Sequence, residues 1–143
     1  MQIIGHGVDI VEKARIQRML EQHGERFLSR CFTDAERAYS DGNARRRMEH
    51  LAGRFAAKEA ILKVLGTGWS GGIAWTDAEV VREPSGRPTV ALHGKCAQVA
   101  DGLGIDQWWL SISHIETHAV ASAIGVATAP VGATSDPWAD SGD

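Results

Sequence analysis

The chain has 143 residues, a formal net charge of −3 and 43% hydrophobic residues, which reads as one domain whose core needs no disulfide framework. Its two cysteines, Cys31 and Cys96, match no metal-ligand spacing and read as reduced, packed thiols. The N-terminus lacks the charged and apolar regions of a signal peptide, and no apolar run approaches the ~20 residues of a membrane span. A cytoplasmic setting without membrane contact is therefore expected.

Charge is unevenly spread. Residues 1–63 carry 12 Lys+Arg against 9 Asp+Glu, whereas residues 64–143 carry 3 against 9. Between Lys13 and Arg30 five bases (Lys13, Arg15, Arg18, Arg26, Arg30) outnumber two acids (Glu21, Glu25). Such a run is either a solvated helix face or a surface for an acidic partner.

Ile3 to Val11 is rich in β-branched and apolar residues and predicts a strand, with Gly7, Asp9 and Val11 on one face. Ile16, Met19 and Leu20 predict a helix over about 12–22, and Gly24 is its stop. Thr33-Asp34-Ala35-Glu36 is a capping-box pattern that starts another short helix, broken at Asp41-Gly42-Asn43. The longest helix is predicted over about 44–65, with Leu51, Phe55, Leu62 and Leu65 as its apolar stripe and Gly66-Thr67-Gly68 as its end. Beyond it, Glu79–Arg82 and Thr89–Leu92 flank the turn-rich Pro84-Ser85-Gly86-Arg87-Pro88, a hairpin pattern. A short helix over 94–104 and two strands, 108–114 and 118–127, complete the pattern. Hairpin-joined strands interrupted by helices imply an α+β domain with a mainly antiparallel sheet over residues 1–127. Residues 128–143, rich in Ala, Gly, Ser, Pro and Asp, are expected to form a disordered tail.

Chemistry concentrates in a few positions. Glu59 and Lys63 lie one turn apart and share a helix face, which by itself suits an ordinary ion pair. Lys58 falls inside the apolar stripe, so it either snorkels outward or serves a buried anion. Asp9, between Val8 and Ile10, needs a base, several donors or a metal if it is buried. Two carboxylates without a Cys/His cluster favour a hard ion such as Mg²⁺; a structural pair with Arg54 is the other reading. His114 leaves a strand beside Ser111 and Ser113 and could meet a phosphate there, although a lone histidine is more often an ordinary hydrogen-bonding residue. Gly66-x-Gly68 follows a helix, so it is not a nucleotide-binding loop. Arg45-Arg46-Arg47 gives nucleic-acid binding little support against the acidic total and the lack of a known module.

Taken in order, Gly7-Val8-Asp9-Ile10-Val11, Phe55-Ala56-Ala57-Lys58-Glu59-Ala60 with Lys63 and Gly66-Thr67-Gly68, Pro84-Ser85-Gly86-Arg87-Pro88, and Leu110-Ser111-Ile112-Ser113-His114 resemble the holo-(acyl-carrier-protein) synthases, the small 4′-phosphopantetheinyl transferases. The resemblance spans about residues 2–127. It implies transfer of 4′-phosphopantetheine from coenzyme A to a serine of apo acyl carrier protein, in fatty acid or polyketide synthesis. It also implies the family's α+β fold and a homotrimer with shared sites. By motif match Asp9 and Glu59 would bind Mg²⁺, and Lys63 would contact the coenzyme A phosphates beside them. Lys58 would support that pocket. Arg54 would meet the 3′-phosphate, Ser85, Gly86, Arg87 and Pro88 the adenosine end, and Ser113 with His114 would line the coenzyme A site. The basic stretch would dock the acidic carrier through Arg15, Arg18, Arg26 and Arg30, with Met19 and Phe27 as apolar contacts. A non-catalytic module that binds coenzyme A or the carrier on the same fold is the alternative. A metal-dependent phosphohydrolase would need more carboxylates or histidines than the chain arranges.

Overall fold

The computed structural model describes residues 1–129. Strands β1 (Gln2–Glu12), β4 (Gln107–His114) and β5 (His118–Ala127) form an antiparallel sheet in the order β1-β5-β4. Strands β2 (Ala78–Arg82) and β3 (Pro88–Leu92) form a separate hairpin around the predicted turn. The helices are α1 (Lys13–His23), α2 (Glu25–Cys31), α3 (Asp34–Asp41), α4 (Arg47–Leu65) and α5 (Gly94–Leu103). The α+β class and the antiparallel pairing agree with the sequence expectation. Two local differences are the separate helix α2 and a 3₁₀ turn at Ala44–Arg46 where α4 was predicted to begin.

α4 lies across the sheet, and missing side chains bring it close. A Cβ at Gly53 would come within 2.9 Å of Ile112 on β4, and one at Gly125 within 2.9 Å of Val64. A Cβ at Gly7 of β1 would stand 2.1 Å from the Ala60 carbonyl oxygen, so no other residue fits there without moving the helix. Ala119, Ala121 and Ala123 of β5 supply the same small surface under the helix and are buried. On its far side α4 meets α1, α3, β2 and α5. The expected four-residue stripe is thus only part of the contact: 13 of the 19 residues of α4 are buried, Arg54 and Lys58 among them. A helix covered on two sides has no polar face to show in its sequence.

Lys58 is where this matters most. Its ammonium is fully buried and donates to Glu36 Oε1 at 2.7 Å, Ala78 O at 2.8 Å and Trp75 O at 3.1 Å. Glu36 belongs to the capping box of α3, which forms as its sequence predicts: Glu36 N donates to Thr33 Oγ1, and Thr33 N donates to Glu36 Oε1. Its second oxygen accepts from Val80 N at 2.9 Å. One acid and one amine therefore fasten α3, α4 and β2 together.

Among the described residues no helix covers the opposite face of the sheet. Val8 and Ile10 of β1 and Trp109 of β4 are exposed there, Ile10 to 65%. Val120 and Ile124 of β5 lie between these strands on the same face, and His6 Nε2 meets Ser122 Oγ at 2.9 Å. The cysteines behave as expected: both are free and buried, and burial pushes each thiol up to about 11. Thr128 is held by Asp106, its N–H donating to Oδ1 at 2.9 Å, so defined contacts reach past the expected boundary at residue 127. The rest of the expected tail, 130–143, lies outside the described residues. No helix among the described residues is long and apolar enough to cross a membrane.

Candidate functional site

Three features converge on α4. The first is a carboxylate pair. Asp9 projects from β1 on the face that meets α4, and Lys63 Nζ donates to Val8 O at 2.7 Å and to Asp9 Oδ1 at 3.3 Å. This answers one open question, because the partner of Asp9 is Lys63 and not Arg54. Glu59, half-buried one turn before Lys63, has its carboxyl pushed up by burial and then by the neighbouring Asp9 carboxylate. The Trp69 indole N–H, Arg15 and Lys63 offset part of that rise. A carboxylate whose proton affinity is raised by a second acid beside it, with one lysine nearby, is a site in which a small cation would relieve repulsion. Among the described residues no group of three or more His, Cys, Asp or Glu gathers to hold a metal. Two carboxylates are nevertheless the complement that Mg²⁺ uses when substrate phosphate and water supply the rest.

The second feature is a cationic pocket of about 230 Å³ at the start of α4. It gathers Arg46, Arg54 and Arg82 with Tyr39, His50 and His114, and Gly86 and Pro88 of the hairpin turn form one wall. The Arg54 guanidinium stacks over the Tyr39 ring, 4.0 Å from its centroid, and Arg82 hydrogen-bonds the Tyr39 hydroxyl. Burial lowers the Arg54 pKa to about 10, and its Nε is buried without a partner. His50 Nδ1 is likewise buried and unpaired, whereas His114 Nδ1 meets Glu49 Oε1 at 2.9 Å. The unpaired, buried Nε of the Arg54 guanidinium calls for an anion, whereas burial lowers the His50 pKa and keeps its ring neutral.

The third is a groove of about 340 Å³ between α1 and α2. Arg15, Met19 and His23 line it at successive turns of α1, and Arg26 and Arg30 face them from α2. Its floor is Phe27, Phe55 and Trp75. The Phe27 ring is itself buried in the core, 5.8 Å edge-on to Phe32, so it supports the groove from below. Arg18 is exposed but does not line the groove.

A profile of the 4′-phosphopantetheinyl transferase superfamily matches residues 5–122. The chain belongs to this superfamily. It is 53% identical over 122 residues to a holo-[acyl-carrier-protein] synthase of Koribacter versatilis, an alignment covering 85% of this chain and 97% of the relative. Its fold matches the holo-[acyl-carrier-protein] synthase of Neisseria meningitidis with a TM-score of 0.79 at 30% identity, covering 87% of this chain and 99% of that one. The Helicobacter pylori enzyme, solved in complex with coenzyme A, matches with a TM-score of 0.73 at 27% identity over 85% and 99% of the two chains.

Within this superfamily fold, several motif-matched residues sit elsewhere than expected. Lys58 lines neither the cationic pocket nor the groove: its ammonium is fully buried and already spends its donors on Glu36 and two carbonyls, so it does not support a coenzyme A pocket as expected. Arg87 turns away from the cationic pocket, bonding Glu83 at 3.2 Å and stacking over Trp109. Ser85 lies outside the pocket, with its Oγ accepting from Arg87 N. Ser113 alternates with His114 along β4, so the two emerge on opposite faces of the sheet. Arg82, Tyr39, His50 and Arg46 were missed. Arg82 ends β2 two residues before the Pro84–Pro88 motif, and nothing in its local sequence sets it apart from Arg87.

Proposed function

We propose that this chain is a holo-(acyl-carrier-protein) synthase, transferring 4′-phosphopantetheine from coenzyme A to a serine of apo acyl carrier protein and releasing adenosine 3′,5′-bisphosphate. The observation that carries the reading is the Asp9–Glu59 pair beside Lys63, on the same helix that supplies Arg54 to an anion pocket. When bound, Mg²⁺ would draw charge from the pyrophosphate and lower the barrier to displacement at the β-phosphorus. Asp9 and Glu59 are the residues that would hold it. Lys63, exposed at the mouth of the site, neutralises charge that builds on the departing phosphate. Arg54, Arg82 and His114 bind the adenosine end through its 3′-phosphate, and Gly86 and Pro88 flank the base.

The topology also supports a trimer with shared sites. The carboxylate pair lies toward the β1 edge of the sheet and the cationic pocket toward the β4 edge, with β5 between them. Head-to-tail rotation about a threefold axis would bring one copy's pair to its neighbour's pocket and cover the apolar outer face of the sheet.

The rim of arginines around the apolar groove suits an acidic, amphipathic carrier. Arg15→Glu is expected to raise the KM for carrier about 10-fold and leave the KM for coenzyme A unchanged, with added salt lowering the wild-type carrier on-rate. Steady-state kinetics with each substrate varied in turn checks this, and an unmoved carrier KM would place docking elsewhere. The reaction itself is tested by intact-mass spectrometry of an apo acyl carrier protein incubated with the chain, coenzyme A and Mg²⁺, beside an EDTA control. A metal-dependent gain of one phosphopantetheine is expected. No gain from folded protein that still binds coenzyme A would favour a binding module.

A further inference from the structure

The loop after α4 contains a tryptophan that motif matching passes over. Gly66, Gly68, Gly71 and Gly72 all have positive φ, and at each of them a Cβ would meet nothing within 4 Å. Thr67 and Ser70 bond only to backbone carbonyls of the loop, at Gly68 and Thr67. Such a segment has little packing of its own to fix its position. Trp69 provides the anchor: its ring is half-buried and stacks on Trp75 with centroids 3.7 Å apart and planes 25° from parallel. Trp75 stacks in turn on Phe55 at 4.6 Å, and both line the arginine-rimmed groove.

The polar end of Trp69 is unaccounted for. Its Nε1 is buried, yet no acceptor meets it at bonding geometry, and a buried indole N–H ordinarily finds one. Glu59 stands one turn after Phe55, the ring at the other end of this stack, on the same face of α4, and the indole N–H holds its proton affinity down. Hydrogen bonds between catalytic groups often tighten when the substrate binds. We propose that Trp69 is a positioning residue: its indole N–H donates to the Glu59 carboxylate and holds that group toward Asp9, while its stack on Trp75 ties the carboxylate to the wall of the carrier groove. Glu59 has one oxygen to give the cation and one to give the indole, so the bond selects the rotamer in which the two carboxylates converge. The inference rests on the metal reading of Asp9 and Glu59 and adds a residue to it.

The test uses Trp69→Phe, which keeps an aromatic ring for the stack and removes the N–H. Mn²⁺ binding to wild-type and variant, read by electron paramagnetic resonance with coenzyme A present and no carrier, reports the site without turnover. Binding about 10-fold weaker in Trp69→Phe is expected, with the KM for carrier and the thermal midpoint unchanged. Equal Mn²⁺ affinity in the two proteins would overturn the proposal. So would a variant that keeps its Mn²⁺ affinity and loses carrier affinity, because Trp69 would then be a groove residue alone. Wild-type protein that takes up no Mn²⁺ would also overturn it, and the mass-gain measurement would show separately whether phosphopantetheine transfer stands.

Discussion

Glu59→Gln should lower kcat by at least about 100-fold and leave the thermal midpoint unchanged or slightly higher. The substitution keeps the side chain's size and its place one turn before Lys63 but removes one of two negative ligands. In the folded protein the Glu59 carboxyl is pushed up by burial and by Asp9, so its charged form is held at a cost to stability. Removing that charge relieves the repulsion at the same moment as it removes function, the usual relation between stability and an active site. Turnover at saturating and limiting Mg²⁺, measured beside a melting curve, separates the two effects. Near-normal turnover would take Glu59 out of the mechanism; a collapsed midpoint would show that its role is structural.

Lys58→Met is expected to do the reverse, with a large loss of stability and unchanged affinity for coenzyme A. Methionine replaces most of the stem and none of the ammonium, leaving the buried Glu36 carboxylate without its cation and the Trp75 and Ala78 carbonyls without a donor. Breaking one side of a buried pair costs about 3–5 kcal/mol, which for a domain of this size lowers the midpoint by more than about 10 °C. Glu36→Gln introduced into the same variant should recover part of the loss, because the uncompensated charge is then gone. A mild effect of Lys58→Met with a raised KM for coenzyme A would restore the lysine to the ligand site. Calorimetry and a coenzyme A titration at low temperature decide between them.

These two residues, side by side in one motif, mark what the sequence could and could not convey. The order of strands, helices and hairpin was legible because caps, glycines and alternation are local signals, and the capping box at Thr33 formed as its spacing requires. Asp9, Glu59, Lys63, Arg54 and His114 could be picked from motifs, since the fold brings them to the pair and the pocket. Lys58 could not be assigned from its surroundings in the chain. A lysine within an apolar stripe snorkels or is buried according to what lies above it, and here that is Glu36 on another helix. The choice between Arg82 and Arg87 was equally hidden, since it depends on which way the β2–β3 hairpin presents its ends. Trp69 carried no signal in its own neighbourhood; its meaning comes from the stack on Trp75 and the carboxylate beside it.

The strand order β1-β5-β4 has a consequence for how the protein is made. The middle strand of the sheet, β5, is the last element of the described chain, and β1 pairs with no other strand. As the polypeptide leaves the ribosome, β1 therefore waits without a ladder until residues 118–127 emerge, and α4 lacks the alanine row on which it rests. Pairing Gln2 with Ala127 joins the two ends of the domain, a non-local closure that slows folding and leaves apolar surface open to chaperones in the interval. Asp9 and Glu59 are held in register only once that closure is complete. A chain that ends before β5 is therefore expected to leave Asp9 and Glu59 out of register and to lose its coenzyme A site with them.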